Sequence, residues 1–281
     1  MTQIKSLIVN ADDFGIDEYI NLGIADCLNN GIVRSVSVIP VGVAFDEALS
    51  LIKANSDVGV GIHLCLTGES PIMPQSQVRS IISENGSFFP DFYSLFYKIF
   101  TGSVNLLELR KELIAQVKKV LDSGITPTHI DSHQYIHLIP PVFDIVIELA
   151  KKFCIKWIRY PGMDCYAHIT SAAAFIKETY LFFFSRPQLL LLQKNRIGYV
   201  KSSYGILTNG HLNEKILGKL IRNLNDGLSD ITCHPGFDPR DGRYLLWKYS
   251  WRDEVNALTS NSISDLIKNA NVKLINYAML N

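Results

Sequence analysis

Eight short apolar runs alternate along the chain with longer segments of helical period, and this alternation limits the fold more than any other feature. The runs read as strands at Ser6–Asn10, Ser35–Ile39, Val58–His63, Thr128–Asp131, Lys156–Arg159, Gly198–Lys201, Asp230–Cys233 and Val272–Ile275. Helix-like stretches lie between them at Glu18–Asn29, Phe45–Ala54, Leu106–Leu121, Pro141–Phe153, Leu212–Leu224 and Ser264–Ala270. In Leu106–Leu121 the residues Leu106, Leu107, Leu113, Ile114, Val117 and Val120 recur at helical spacing. Strands that alternate with helices pair in parallel, and seven or eight such units predict a barrel.

Two stretches interrupt the rhythm. Residues 67–102 follow the third strand as a long, aromatic-rich loop containing SFFPDFYSLFYKIF, and residues 162–197 form a second insertion containing YLFFFSRPQLLLLQ. In a barrel the loops after strands carry the chemistry, so insertions there shape a substrate pocket. With 281 residues, 47% of them hydrophobic, and no Pro/Gly/Ser-rich linker, residues 1–281 read as one domain. Lys plus Arg equals Asp plus Glu at 27 each, which argues against a nucleic-acid partner held by a broad basic field. Five cysteines without a CxxC pair read as reduced thiols. The start MTQIKSLIVNADD meets acidic residues too soon for a secretory leader, and no run of about 18 apolar residues marks a membrane span. The expected location is cytoplasmic.

Polar residues collect where the strands end. Asp12 and Asp13 follow the first strand, His63 ends the third in GVGIHL, and His129, Asp131 and His133 surround the fourth in THIDSHQYIH. Arg159 closes the fifth in IRYP, and His234 closes a late strand in ITCHPG. A lone strand-end histidine is usually a satisfied core residue, but several ligand-type residues at separate strand ends point to a shared site. In THIDSHQYIH, helical spacing would align His129, His133 and His137, whereas strand spacing would align His129, Asp131 and His133. GITPT before the stretch and Pro140-Pro141 after it favour extended chain, with Asp131 and His133 directed at the barrel mouth. A carboxylate and two imidazoles from separate elements, with positions left for water, suit a catalytic divalent ion. Adjacent aspartates repel each other, and a cation between two roles offsets that repulsion. The competing reading is an Asx turn in which Asp13 caps the next helix.

NADDFG, GIHL, THIDSHQYIH, IRYP and CHPG, in this order across residues 9–236, resemble the motifs of the YdjC-like carbohydrate deacetylases. That family includes chitooligosaccharide deacetylases and a hopanoid-biosynthesis branch. The resemblance implies an α/β fold, a distorted (β/α) barrel of about seven parallel strands of the deacetylase type. It also implies metal-dependent removal of acetyl from an N-acetylated sugar, with one magnesium or zinc ion. By motif, Asp13, His63 and His133 would be the metal ligands, Asp12 the general base and His234 the acid for the leaving amine, with Arg159 and Asp131 in support. Relatives often have histidine where this chain has Tyr135, which leaves the ligand set intact.

The implied reaction is amide hydrolysis of an N-acetylglucosamine-type oligosaccharide or glycolipid. A phosphoesterase would want more carboxylates or a phosphate cradle, and no P-loop is present. A sugar-binding relative without turnover would not need Asp12, Asp13, His63, His133 and His234 together. Acetate release separates these readings. The aromatic segment Phe88–Phe100 either stacks on sugar faces or packs the barrel, and Arg159 either orients Asp12 or makes a surface salt bridge. For YLFFFSRPQLLLLQ the alternatives are a greasy rim for a lipid-linked sugar or membrane-surface contact, a core helix, and a homodimer interface.

Overall fold

The computed structural model describes residues 5–55, 57–161, 172–206 and 208–280, with the backbone alone for 172–182 and 184. The strands are β1 (Lys5–Phe14), β2 (Ser35–Val38), β3 (Gly59–Leu64), β4 (His129–Ser132), β5 (Trp157–Ile158), β6 (Ser202–Tyr204), β7 (Gly227–Cys233) and β8 (Val272–Ile275). The helices are α1 (Glu18–Asn30), α2 (Phe45–Lys53), α3 (Phe92–Phe100), α4 (Leu106–Asp122), α5 (Pro140–Lys152), α6 (Ala172–Asn195), α7 (Glu214–Arg222), α8 (Gly242–Leu245), α9 (Trp251–Leu258) and α10 (Asn261–Asn269). Seven strands run in the order β5-β4-β3-β2-β1-β7-β6, every pairing is parallel, and β8 pairs with the start of β1. The sheet curls until its two edges meet at one bridge. There Ile158 N donates to Gly198 O at 3.0 Å and Gly198 N to Lys156 O at 2.8 Å. This is the distorted α/β barrel expected from the alternation of strands and helices.

Period-2 alternation divides each strand between a helix-covered outer face and the barrel interior. Leu7, Val9 and Ala11 of β1, Val36 and Val38 of β2, Val60, Ile62 and Leu64 of β3, and Ile231 of β7 belong to the main apolar core. The intervening residues face inward. Low in the barrel they are apolar, with Ile8 packed on Val200, Ile275 and Tyr277. Higher up they are Asn10, Asp12, Ser37, His63, His129 and Asp131, all buried, while buried Asp230 lies level with Ile8. The strand ends are therefore polar on one face only, and those faces converge.

Several boundaries differ from the sequence expectation. The sixth strand lies at Ser202–Tyr204 rather than Gly198–Lys201, because Gly198 is used for the closing bridge and Trp157 occupies the space a side chain there would need. The long loop after β3 contains helix α3, whose Asp91 N-cap accepts from Ser94 N at 2.8 Å. Much of the second insertion is helix α6, which runs through Pro187. The part of that insertion at residues 162–171, including Cys165, lies outside the described residues, and the other four cysteines are free thiols. Among the described residues no helix is long and apolar enough to cross a membrane.

One close approach sets where the loop after β7 sits. A Cβ at Gly23 of α1 would lie 2.4 Å from Gly236 Cα, backbone against backbone with no side chain able to yield. Gly23→Ala is expected to cost about 1–3 kcal/mol of stability, the usual range for overpacking, read by denaturant unfolding.

Candidate active site

The first strand ends irregularly. Its register with β2 shifts between Ala11 and Phe14, and Asp13 has a left-handed φ of 63°. In a regular strand the side chains of Asp12 and Asp13 would point to opposite faces. The bulge with its left-handed residue turns both carboxylates into the barrel mouth, and aspartate tolerates that backbone better than most residues. Both are buried, at 3% and 1% exposure.

The two carboxylates have separate partners. Asp12 is gripped by Arg159 through two bonds, Nη1 to Oδ2 at 2.6 Å and Nη2 to Oδ1 at 2.9 Å. Asn10 Nδ2 adds a third donor at 2.8 Å to Oδ1. A carboxylate offers about four lone-pair positions, so one on Oδ2 stays open, and His234 Nε2 is 4.0 Å from that oxygen. Asp13 Oδ1 instead meets His133 Nδ1 at 2.8 Å and His63 Nε2 at 3.3 Å. Burial works against the Asp13 charge, but His133 and His63 together hold its carboxyl well below the usual range.

Asp131 links the two halves. Its Oδ1 lies 2.8 Å from His63 Nδ1, which leaves His63 Nε2 directed at Asp13, and its Oδ2 takes Arg159 Nη1 and Ser37 Oγ at 2.8 and 2.7 Å. Burial disfavours charge on His63, yet Asp131 and Asp12 raise its pKa to about 10. An imidazole oriented through its second nitrogen by a carboxylate is the usual support of a metal-ligating histidine.

The geometry accommodates a cation at Asp13, His63 and His133, each of which offers a ligand atom within 4.8 Å of the others. Asp13 Oδ2 is buried and has no hydrogen-bond partner among the described residues, as expected of an oxygen kept for an ion. Asp12, His63 and Asp131 also converge, but the Arg159 guanidinium already pairs with both of those carboxylates, and its positive charge opposes a second cation there. One carboxylate and two imidazoles make a donor set that could hold a divalent ion.

The fourth strand runs His129–Ser132 and then turns. His129 and Asp131 share its inner face, each within reach of Ser37 Oγ, while His133 starts a 3₁₀ turn whose Gln134 and Tyr135 have φ of 54° and 57°. His133, not Asp131, reaches the mouth, where Trp247 packs against its ring at 5.0 Å. His137 stands apart from the site. It donates from Nε2 to Arg159 O at 3.1 Å, its Nδ1 meets Ser132 Oγ, and burial lowers its pKa to about 4. Tyr135 is also buried, packed with Leu138 and Ile206.

Arg159 is buried at 1% exposure, so the surface salt bridge is excluded, and its guanidinium bonds Asp12. Sequence reading missed Asn10, Ser37 and Glu254. Asn10 and Ser37 sit on the inner faces of β1 and β2, where the alternation in VNAD and SVSV could have found them. Glu254, whose carboxylate accepts from His234 N at 2.6 Å, lies in a helix that no motif marks.

Three comparisons bear on this arrangement. A family model described as YdjC-like protein matches residues 6–269. A carbohydrate deacetylase of Clostridium beijerinckii is 33% identical over 274 residues, covering 96% of this chain and 98% of that protein. One from Thermoanaerobacter pseudethanolicus is 28% identical over 280 residues, covering 99% and 100%. A solved structure from Enterococcus faecalis V583, provisionally assigned as a cellobiose-phosphate cleavage protein, superposes with a TM-score of 0.77 at 26% identity over 99% of both chains.

Two outcomes follow from the burial of these charges. Arg159→Leu strands Asp12 and Asp131 without their counter-ion and is expected to lose about 3–5 kcal/mol in urea unfolding. His137 is held neutral in the fold but takes a proton near its ordinary 6.5 when unfolded. Its contribution to stability is present above that value and is lost as pH falls toward 4. Unfolding free energy measured from pH 7 to 4.5 should therefore decline less in His137→Asn than in the wild type.

Proposed function

This chain belongs to the YdjC-like protein family, and on that premise we propose that it is a metal-dependent carbohydrate deacetylase acting on N-acetylated sugars. The observation that carries the reading is the division of labour between neighbouring aspartates. Asp12 faces His234 and is clamped by Arg159, while Asp13 faces two imidazoles. The relatives named carbohydrate deacetylase over nearly the whole length supply the reaction class.

Asp13, His63 and His133 would hold the divalent ion, magnesium or zinc. When bound, the ion would polarise the acetyl carbonyl and make a water more acidic. Asp12 accepts a proton from the attacking water at its open Oδ2 position. Arg159 and Asn10 keep that carboxylate from rotating, which holds the open position toward the reacting centre. As the C–N bond breaks, its electron pair passes to the sugar nitrogen, which takes a proton from His234 Nε2. Acetate and the free amino sugar leave. Asp131 fixes the ring of His63, and exclusion of water from these buried groups strengthens every charge interaction among them. Among the described residues, the exposed Phe183 and Leu190 of α6 are what supports a lipid-linked substrate or a membrane-surface contact.

The test is acetate release from N-acetylglucosamine oligomers with several divalent ions. Adjacency lets one pair of variants separate the roles. Asp13→Asn should lose bound metal, with partial rescue by excess ion. Asp12→Asn should retain the metal and lose about 10²- to 10⁴-fold in kcat, with little rescue. Equal metal loss in both variants would make both aspartates ligands and require a different base. Near-normal turnover in Asp12→Asn would end its candidacy.

A further inference from the structure

The reaction leaves Glu254 without a task, although it is fully buried and touches the residue that donates the final proton. It projects from α9, and its two oxygens each accept a backbone N–H, Oε2 from His234 at 2.6 Å and Oε1 from Leu212 at 2.9 Å. No cationic side chain among the described residues offsets it, and the charge that bears on it is the like charge of Asp12. Burial raises its pKa to about 7 against the pull of the two N–H donors. A neutral acceptor would satisfy the same groups at smaller desolvation cost. A carboxylate there makes the shorter, stiffer bond.

The position of His234 explains what that stiffness acts on. Its neighbour Cys233 is the last residue of β7 and the last to pair with β1, opposite Ala11. From His234 onward the backbone leaves the sheet, and loop contacts hold it, Gly236 N to Trp251 O at 3.5 Å and Phe237 N to Tyr19 O at 3.0 Å. The imidazole stands edge-on to Tyr249 at 5.3 Å between ring centroids, with Nε2 4.0 Å from Asp12 Oδ2. The bond from Glu254 is the first one after the ladder stops, so it sets where the imidazole starts from.

We propose that Glu254 is the positioning residue for His234, holding its backbone N–H so that Nε2 stands where the leaving sugar nitrogen needs a proton. This role rests on the deacetylase reading, since it concerns the protonation that only a poor leaving group requires. An amide nitrogen must be protonated to depart, whereas a nitrophenolate leaves as the anion. Loss of Glu254 therefore harms amide turnover and spares turnover of an activated ester.

The experiment compares wild-type protein, Glu254→Gln, His234→Ala and the double variant under the same divalent-ion conditions. The substrates are an N-acetylglucosamine oligomer and 4-nitrophenyl acetate. Glu254→Gln is expected to lower kcat on the oligomer about 10- to 100-fold, with KM and ester turnover within about two-fold of wild type. In the His234→Ala background it should add nothing further. In folded wild-type protein the His234 amide proton should resonate well downfield, a readout that needs no variant to fold. Equal losses on both substrates, losses that multiply with His234→Ala, a fall in thermal stability with kcat unchanged, or an ordinary His234 amide shift would each overturn the role. Wild-type protein that hydrolyses neither compound would overturn the deacetylase reading and this role with it. Wild-type turnover with an unselective Glu254→Gln loss overturns the inference alone.

Discussion

The guanidinium of Arg159 is the interaction on which the interior of this barrel depends. Its fork closes on Asp12 through two bonds and forms an ion pair with Asp131, at the centre of a polar inner face. Carboxylates this deep are costly unless paired and hydrogen-bonded, and the fixed geometry of arginine suits such pairing better than a lysine point charge. The pairing is incomplete in an informative way. Asp12, Asp13 and Asp131 set three carboxylates against one guanidinium, leaving an excess of two formal negative charges when the imidazoles are neutral. Asp230 is buried with its own donors, Ser203 Oγ at 3.1 Å and Tyr277 OH at 2.6 Å. The donors that Arg159 leaves available are those around Asp13, where a cation could be held.

Backbone irregularity then decides how the charges are used. A straight β1 would send one of two adjacent aspartates into the apolar shell of Leu7, Val9 and Ala11. The bulge and the left-handed φ at Asp13 avoid that and aim both into the mouth, one toward Arg159 and one toward the histidines. A second break, at Gln134 and Tyr135, swings the chain away directly after His133. Strain of this kind persists where the surroundings determine it, and here it lies beside the two proposed ligands from β1 and the β4 turn. Gln134 also ties the turn outward, since its Oε1 accepts from Phe92 N at the start of α3 at 2.7 Å. The insertion after β3 is thus joined to the site through the residue following His133, and it presents Tyr93, Tyr97 and Phe100 on its exposed side.

The loop after β7 is the other wall. Trp247 and Tyr249 pack against the rings of His133 and His234 respectively, and Gly236 rests on Gly23 of α1. Through Glu254 the same loop is tied to Leu212, beyond β6. The proposed acid is therefore placed by contacts from three elements distant in sequence, whereas the proposed base is placed within its own strand and by Arg159.

The sequence alone determined the class of fold and most of the proposed site. Strand–helix alternation implies a parallel, curled sheet whatever the details, and residues of ligand type at strand ends share a mouth because parallel strands all end on the same side. Asp12, Asp13, His63, His133 and His234 were legible for that reason. Tertiary structure decided what each one touches. His137 has the same chemistry and nearly the same spacing as His133, yet it is a neutral core residue bonded to Arg159 O, since the turn at Gln134 and Tyr135 carries it away. Arg159 reads equally as surface or centre until the sheet curls around it. Glu254 has no motif, because its bond to a residue 20 positions earlier depends on how α9 packs rather than on any local pattern. Period and residue type fix which face a side chain takes, but the partner across the barrel follows from bulges, the sign of φ and the curl of the sheet, which no short stretch of sequence encodes.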